Sequence, residues 1–245
     1  MYTNRYIFTY AAVLVIVAAA LLSLAAMLLK PLQERNRAID KMRGILASAQ
    51  VKDATAENAI PLFNKYIVEE LIIDPQGNVV DKYDKSPKED APAFKIDLKK
   101  ENYNKAHHKP YKLPLYIASK DGKKIYIIPM RGTGLWGPIW GNLALTSDFK
   151  KVVGVFFDDK SETPGLGGEI KTDKFKNQFI GKTIFDSHGH LTPIRVVKGG
   201  IKKIPQDQRI HAVDAISGAT LTSNGVDAML RNTLKSYLPF MKKHQ

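Results

Sequence analysis

The chain has 245 residues, with 37 basic and 24 acidic side chains, a formal net charge of +13 and no cysteine. This length fits one domain, or one domain with an anchor. Without cysteine the chain cannot build a disulfide or a thiolate-bound iron–sulfur cluster, so a redox role would need an organic cofactor or a metal with N and O ligands. The positive charge is diffuse: residues 82–124 hold twelve lysines, six acidic residues and no arginine, which is typical of a solvated surface and not of a nucleic-acid interface.

An uncharged segment near the N-terminus predicts a transmembrane helix. Residues 7–29 form a run of 23 without a charged side chain, and as a helix this run spans about 34 Å, which matches the core of a bilayer. A cleaved signal peptide is the alternative, but its apolar region is only about 7–15 residues long and its start is more basic. We therefore expect residues 1–6 to be a flank and residues 7–29 to be a single-pass anchor in the lipid bilayer.

The charges around this span give a conflicting signal about orientation. Only Arg5 precedes the span, and the basic residues that follow it are Lys30, Arg35, Arg37, Lys41 and Arg43. The positive-inside rule would place the C-terminal part in the cytoplasm, but long domains translocate largely regardless of flanking charge.

The next part of the chain alternates between helical and strand patterns. Residues 30–50 predict an amphipathic connecting helix that begins after Pro31, and residues 51–245 predict a single domain. Residues 66–73 and 78–83 predict strands joined by a turn, and the lysine-rich stretch to residue 112 reads as a loop. Further strands are predicted at residues 113–118, 124–130, 139–146, 152–157, 193–198 and 210–216. Thr172 predicts the cap of a short helix, and residues 223–238 predict the last one, so we expect an α+β fold with a mainly antiparallel sheet flanked by helices.

Residues 132–137 match the Gly-x-Gly-x-x-Gly pattern of dinucleotide-binding loops. In those folds a helix opens at the last glycine, whereas Pro138 and another strand follow here, so the context argues against a Rossmann fold. The segment instead predicts a glycine-rich strand connection in which Trp136 faces a flat ligand or packs in the core.

Residues 162–169 place three glycines and a proline in one loop. Glycines allow backbone N–H groups to approach a planar heterocycle, and Leu166 offers an apolar contact to its face. The alternative is a long surface turn.

Residues 214–224 carry four hydroxyl groups, on Ser217, Thr220, Thr222 and Ser223. A helix that begins here would offer unpaired N–H groups and a positive dipole end to a phosphate. An ordinary turn, with Thr222 or Ser223 as the helix cap, explains the same residues. Local chemistry does not select one of the four hydroxyls.

Other catalytic or metal-binding patterns are weak. His188 and His190 flank a glycine without a third ligand at a supporting spacing, so we predict no metal site. No hydrolase motif is present, and we name no catalytic residue.

Residues 134–137, 162–168 and 217–223, in this order behind one N-terminal span, closely resemble the C subunit of the sodium-translocating NADH:quinone oxidoreductase. The resemblance covers essentially the whole chain, and its most specific part is Ser-Gly-Ala-Thr with Asp214 upstream. It implies that a flavin transferase joins FMN by its phosphate to Thr220. The other cofactor-binding residues that it implies are Leu135, Trp136, Glu162, Thr163, Gly165, Leu166, Gly167, Ser217, Gly218, Ala219, Thr222 and Ser223.

The resemblance further implies an electron carrier in a complex of membrane subunits that couples NADH oxidation by quinone to sodium export. It places the FMN domain on the periplasmic side of the bacterial inner membrane, against the flanking charge. Two alternatives remain. One is the G subunit of the related ferredoxin:NAD electron-transport complex, which also carries FMN on a threonine, and the other is a membrane-anchored scaffold without flavin.

Overall fold

The N-terminal part of the chain is one long helix. The computed structural model describes residues 3–245 and has two compact units that divide between Lys41 and Met42. Helix α1 (Asn4–Ser48) contains the predicted span and is, among the residues described, the one helix long and apolar enough to cross a membrane. We expected a new helix after Pro31, but Pro31 lies inside α1. A proline inside a helix costs about 3 kcal/mol, which the long run of helix-forming residues on both sides tolerates.

The domain is built on a six-stranded sheet with the order β2-β1-β3-β4-β5-β6, in which every neighbouring pair is antiparallel. The strands are β1 (Ile67–Ile73), β2 (Val79–Tyr83), β3 (Leu113–Lys120), β4 (Lys123–Thr133), β5 (Pro138–Thr146) and β6 (Val152–Asp159). Asp121 and Gly122 join β3 to β4 with φ of 51° and 72°, as a tight hairpin turn requires. The predicted antiparallel sheet is confirmed.

One face of this sheet carries the main core. Apolar side chains that alternate along β3 to β6 pack with α4 (Asp173–Lys176) and with α5 (Thr220–His244). Tyr237 of α5 is buried, and its hydroxyl donates to the carbonyl of Pro114 at 2.5 Å. Burial raises the pKa of Tyr237 well above its ordinary value of 10. The last helix is therefore anchored to the sheet along its length, which fixes the place of its first turn.

The opposite face of the sheet is covered by the last turns of α1 and by α2 (Ala59–Tyr66). Phe63 of α2 stacks edge-on against Tyr116 and Phe94, with ring centroids 6.4 and 5.6 Å apart. A Cβ at Gly44 would lie 2.7 Å from the ring of Phe156, so the helix backbone touches the sheet directly. The sheet is covered on both faces within residues 42–245.

Three further sequence predictions differ from the structure. The lysine-rich loop contains helix α3 (Leu98–Ala106), whose N-cap Asp97 accepts from the N–H of Lys99. Strands β7 (Arg195–Val197) and β8 (Ala212–Asp214) are shorter than predicted and form a separate parallel pair. Helix α5 begins at Thr220 after the N-cap Ala219 and continues through Pro239, so capping by Thr222 or Ser223 is wrong.

Candidate functional site

The connection between β4 and β5 is a tight turn that projects outward. The N–H of Gly134 donates to the carbonyl of Gly137 at 2.8 Å. Leu135 and Trp136, at the tip, are 48% and 65% exposed. Trp136 does not pack in the core, and the pairing of β4 with β5 leaves no helix after the glycines. The turn therefore presents two large apolar side chains at the surface.

The loop after β6 brings a carboxylate under this turn. Glu162 is 7% exposed, and its Oε1 accepts from the N–H of Trp136 at 2.8 Å. Its Oε2 accepts from the hydroxyl of Thr222, in the first turn of α5, at 2.6 Å. One buried side chain thus joins the turn, the loop and the helix, which lie far apart in the sequence.

Glycines make this junction sterically feasible. A Cβ at Gly134 would lie 2.5 Å from Oε1 of Glu162, and a Cβ at Gly167 would lie 2.2 Å from its Oε2. Gly218, with φ of 77°, would place a Cβ 2.9 Å from the side chain of Leu166. Leu166 therefore lies against the turn before α5 and is still 42% exposed.

The start of α5 separates the four hydroxyl groups into two kinds. Thr222 and Ser223 are buried, and their hydroxyls bond to Glu162 and to the N–H of Ile216, the latter at 3.1 Å. Ser217 is exposed and Thr220 is half-buried. Within residues 3–245 the structure shows no hydrogen bond made by the hydroxyl of Ser217 or of Thr220.

Backbone donors at this helix start are open as well. The hydrogen bonds of the first turn begin with the N–H of Ser223, which donates to the carbonyl of Ala219 at 2.9 Å. The three preceding N–H groups of α5 lie in the positions that a helix leaves without an internal acceptor. These donors and the positive end of the helix dipole suit a phosphate next to Thr220.

Two aspartates bind the segments that carry the site residues. Asp159, 9% exposed, accepts from the N–H of Glu162 at 2.8 Å and pairs with Lys171 at 2.9 Å. The hydrogen bond to Asp159 raises the pKa of the Lys171 ammonium. Asp214 accepts from the N–H of Ile201 at 2.6 Å, which ties the segment before α5 to the turn at residues 199–200. Sequence reasoning missed Asp159, because nothing in its local pattern marks it as a support.

The structure brings some of the sequence-predicted site residues into contact and leaves others exposed. Hydrogen bonds join Trp136, Glu162 and Thr222, and close packing adds Leu166, Gly167 and Gly218. Thr163 and Gly165 lie on the exposed side of the loop. The carbonyl of Thr163 accepts from Gly168, and the N–H of Gly165 donates to Glu169, so both residues hydrogen-bond within the loop itself.

The residues present fit a flavin bound through its phosphate. Trp136, Leu135 and Leu166 supply exposed apolar surface of the kind that packs on a flat ring. Thr220 supplies a hydroxyl and α5 supplies backbone donors for the phosphate.

Within residues 3–245 no group of three or more His, Cys, Asp or Glu side chains is arranged to hold a metal ion. Asp186 contacts His190 at 3.3 Å in an exposed loop.

Comparisons with known proteins point in one direction. The FMN-binding domain profile matches residues 134–235. The C subunit of the Na(+)-translocating NADH-quinone reductase of Pseudomonas aeruginosa is 35% identical over 231 residues, which cover 90% of this chain and 87% of the relative. Its counterpart in Yersinia pestis is 35% identical over 243 residues, 94% of this chain and 89% of the relative. The solved structure of the same subunit from Parabacteroides distasonis superposes with a TM-score of 0.74 at 36% identity, covering 87% of this chain and 96% of that one.

Proposed function

This chain belongs to the family of C subunits of Na(+)-translocating NADH-quinone reductases, and we propose that it is the FMN-carrying electron-transfer subunit of such a complex. The observation that carries the proposal is the position of Thr220. It lies within the segment that matches the FMN-binding domain, it begins α5, and its hydroxyl is half-buried without a hydrogen bond described for it. The relatives favour this function over the G subunit of the ferredoxin:NAD complex and over a scaffold.

We propose that FMN is held covalently, as a phosphoester of Thr220. In the attachment reaction, the Thr220 oxygen would form a bond to phosphorus and lose its proton to water. The phosphorus–oxygen bond to the leaving group of an activated FMN donor breaks, and a flavin transferase supplies that donor. The N–H groups of the first turn of α5 would then hold the phosphate. Covalent attachment prevents loss of the cofactor from a carrier that moves between partners.

In the bound state the flavin supplies the capacity to accept and donate single electrons. The chain's own residues position it. Trp136, Leu135 and Leu166 would pack on it and exclude water, and the loop glycines would allow close approach of the backbone. The electron donors and acceptors are the other membrane subunits of the complex.

The function is tested in membranes of a strain that lacks this chain. We expect sodium-stimulated reduction of quinone by NADH to be lost, and to return with the wild-type chain but not with Thr220→Ala. Both effects follow because the chain carries the electrons between its neighbours. Unchanged sodium-stimulated activity after deletion would contradict the proposal, and loss of ferredoxin-dependent NAD reduction instead would identify the chain as the G subunit of the ferredoxin:NAD complex.

We propose further that α1 anchors the chain in the inner membrane and that residues 42–245 lie on the periplasmic side. The basic residues after the span oppose this orientation, but the translocation of long domains is only weakly sensitive to such charge. Protease added to intact spheroplasts should digest the domain, while a cytoplasmic control protein survives. Survival of the domain until the spheroplasts are lysed would place it in the cytoplasm.

A further inference from the structure

The buried carboxylate of Glu162 has a role that extends beyond contact with a ligand. We propose that Glu162 is a positioning residue that assembles the flavin site before attachment and holds a negative charge beside it; the inference rests on the proposed function. Its two oxygens bind different segments: Oε1 accepts from Trp136 of the β4–β5 turn, and Oε2 accepts from Thr222 of α5. These segments supply the apolar surface and the attachment residue.

The carboxylate has little freedom to leave this position. A Cβ at Gly134 would lie 2.5 Å from one oxygen and a Cβ at Gly167 would lie 2.2 Å from the other, so the loop and the turn close around it. Movement of the side chain would break two hydrogen bonds and leave the Trp136 N–H and the buried hydroxyl of Thr222 without their acceptors. The geometry of the site is therefore fixed by the protein alone.

The loop that carries Glu162 is itself held in place. The N–H of Glu162 donates to Asp159 at 2.8 Å, and Asp159 is fixed by its ion pair with Lys171. On the other side, the carbonyl of Thr163 accepts from the N–H groups of Leu166 and Gly168 at 3.1 and 3.0 Å. These contacts hold the loop in place, and the loop in turn holds the carboxylate of Glu162.

The charge has a consequence for redox chemistry. The backbone nitrogen of Trp136 lies 2.8 Å from Oε1 of Glu162, so a flavin ring that packs on the β4–β5 turn would lie near this carboxylate. Reduction adds negative charge to a flavin, and a nearby carboxylate screened little by water disfavours that addition. Glu162 is therefore expected to lower the reduction potential of the bound flavin.

The test uses the full chain, purified from membranes of a host that supplies the flavin transferase. Glu162→Gln keeps an acceptor for Trp136 and a partner for Thr222 but removes the charge, whereas Glu162→Ala removes both contacts. Glu169→Gln is the matched control, because Glu169 is half-buried in the same loop and accepts from the N–H of Gly165. Flavin occupancy is measured by intact mass, and the midpoint potential by spectroelectrochemical titration.

We expect Glu169→Gln to match the wild type in both measurements. Glu162→Gln should keep its flavin, and its midpoint potential should be higher than that of the wild type. The expected increase is about 59 mV for a one-electron couple, which equals a tenfold change in the ratio of oxidised to reduced flavin. Glu162→Ala should lose occupancy severalfold.

Two results would overturn the inference: full occupancy in Glu162→Ala, or a midpoint in Glu162→Gln equal to that of Glu169→Gln. If Glu162→Ala does not fold, the midpoint of Glu162→Gln decides. A wild-type chain without flavin contradicts the proposed function instead, so the two failures are distinguishable.

Discussion

Thr220→Ala should give a folded, membrane-bound chain that carries no flavin. The substitution removes the oxygen that we propose to bond to phosphorus, and within residues 3–245 that hydroxyl makes no described hydrogen bond, so the fold loses little. Alanine also suits the first turn of a helix. We expect an intact mass equal to that of the bare polypeptide and no flavin fluorescence in a denaturing gel.

Ser217→Ala is the matched control for this substitution. Ser217 lies in the turn just before α5 and is exposed, and, like Thr220, it has no described hydrogen bond from its hydroxyl. This variant should keep its covalent flavin, because the Ser217 hydroxyl, although the resemblance places it at the cofactor, is not the oxygen proposed to bond to phosphorus. Flavin that persists in Thr220→Ala and disappears in Ser217→Ala would move the attachment site to Ser217.

Gly225→Ala should destabilise the domain although it places alanine in a helix. A Cβ at Gly225 would lie 2.2 Å from the carbonyl oxygen of Thr133 and 3.4 Å from Cα of Gly134. Thr133 is paired with β5, so it cannot move away without breaking the sheet. Overpacking costs about 1–3 kcal/mol against a gain in helix propensity of about 1 kcal/mol. We expect a net loss of up to about 2 kcal/mol, which lowers Tm by up to about 8 °C in a domain of this size.

Thermal unfolding of Gly225→Ala beside Asn224→Ala measures this effect. Asn224 is the preceding residue and is exposed, so its substitution should change stability by less than about 0.5 kcal/mol. The displaced β4–β5 turn should also lower flavin occupancy in Gly225→Ala. A Tm at or above that of the wild type would show that helix and strand do not pack through this glycine.

The sequence predicts the strands better than the helices and their ends. Alternating apolar residues and the Asp121-Gly122 turn determine β3 and β4 locally, because a hairpin needs only neighbouring residues. Helix α3 was missed because its lysine-rich sequence has no apolar face. The start of α5 was placed three residues late, because Thr222 and Ser223 are good capping residues whose hydroxyls are used instead by Glu162 and Ile216.

The candidate site shows the same limit. The three motifs are visible in the sequence, and the resemblance named Thr220 and Glu162 as site residues. The contact between Glu162 and Thr222 joins residues sixty positions apart, and no local pattern records which buried donors a carboxylate will find. Only the fold shows that two of the four hydroxyls are used within the protein, which leaves Ser217 and Thr220 and favours the one on the helix.

The most direct measurement is fragmentation mass spectrometry of the peptide that contains residues 214–224 from the native, membrane-purified chain. We predict that this peptide carries one FMN less one water, and that the fragments place the added mass on Thr220. A native peptide without FMN, or with the added mass on Ser217, would contradict covalent flavin attachment at the start of α5.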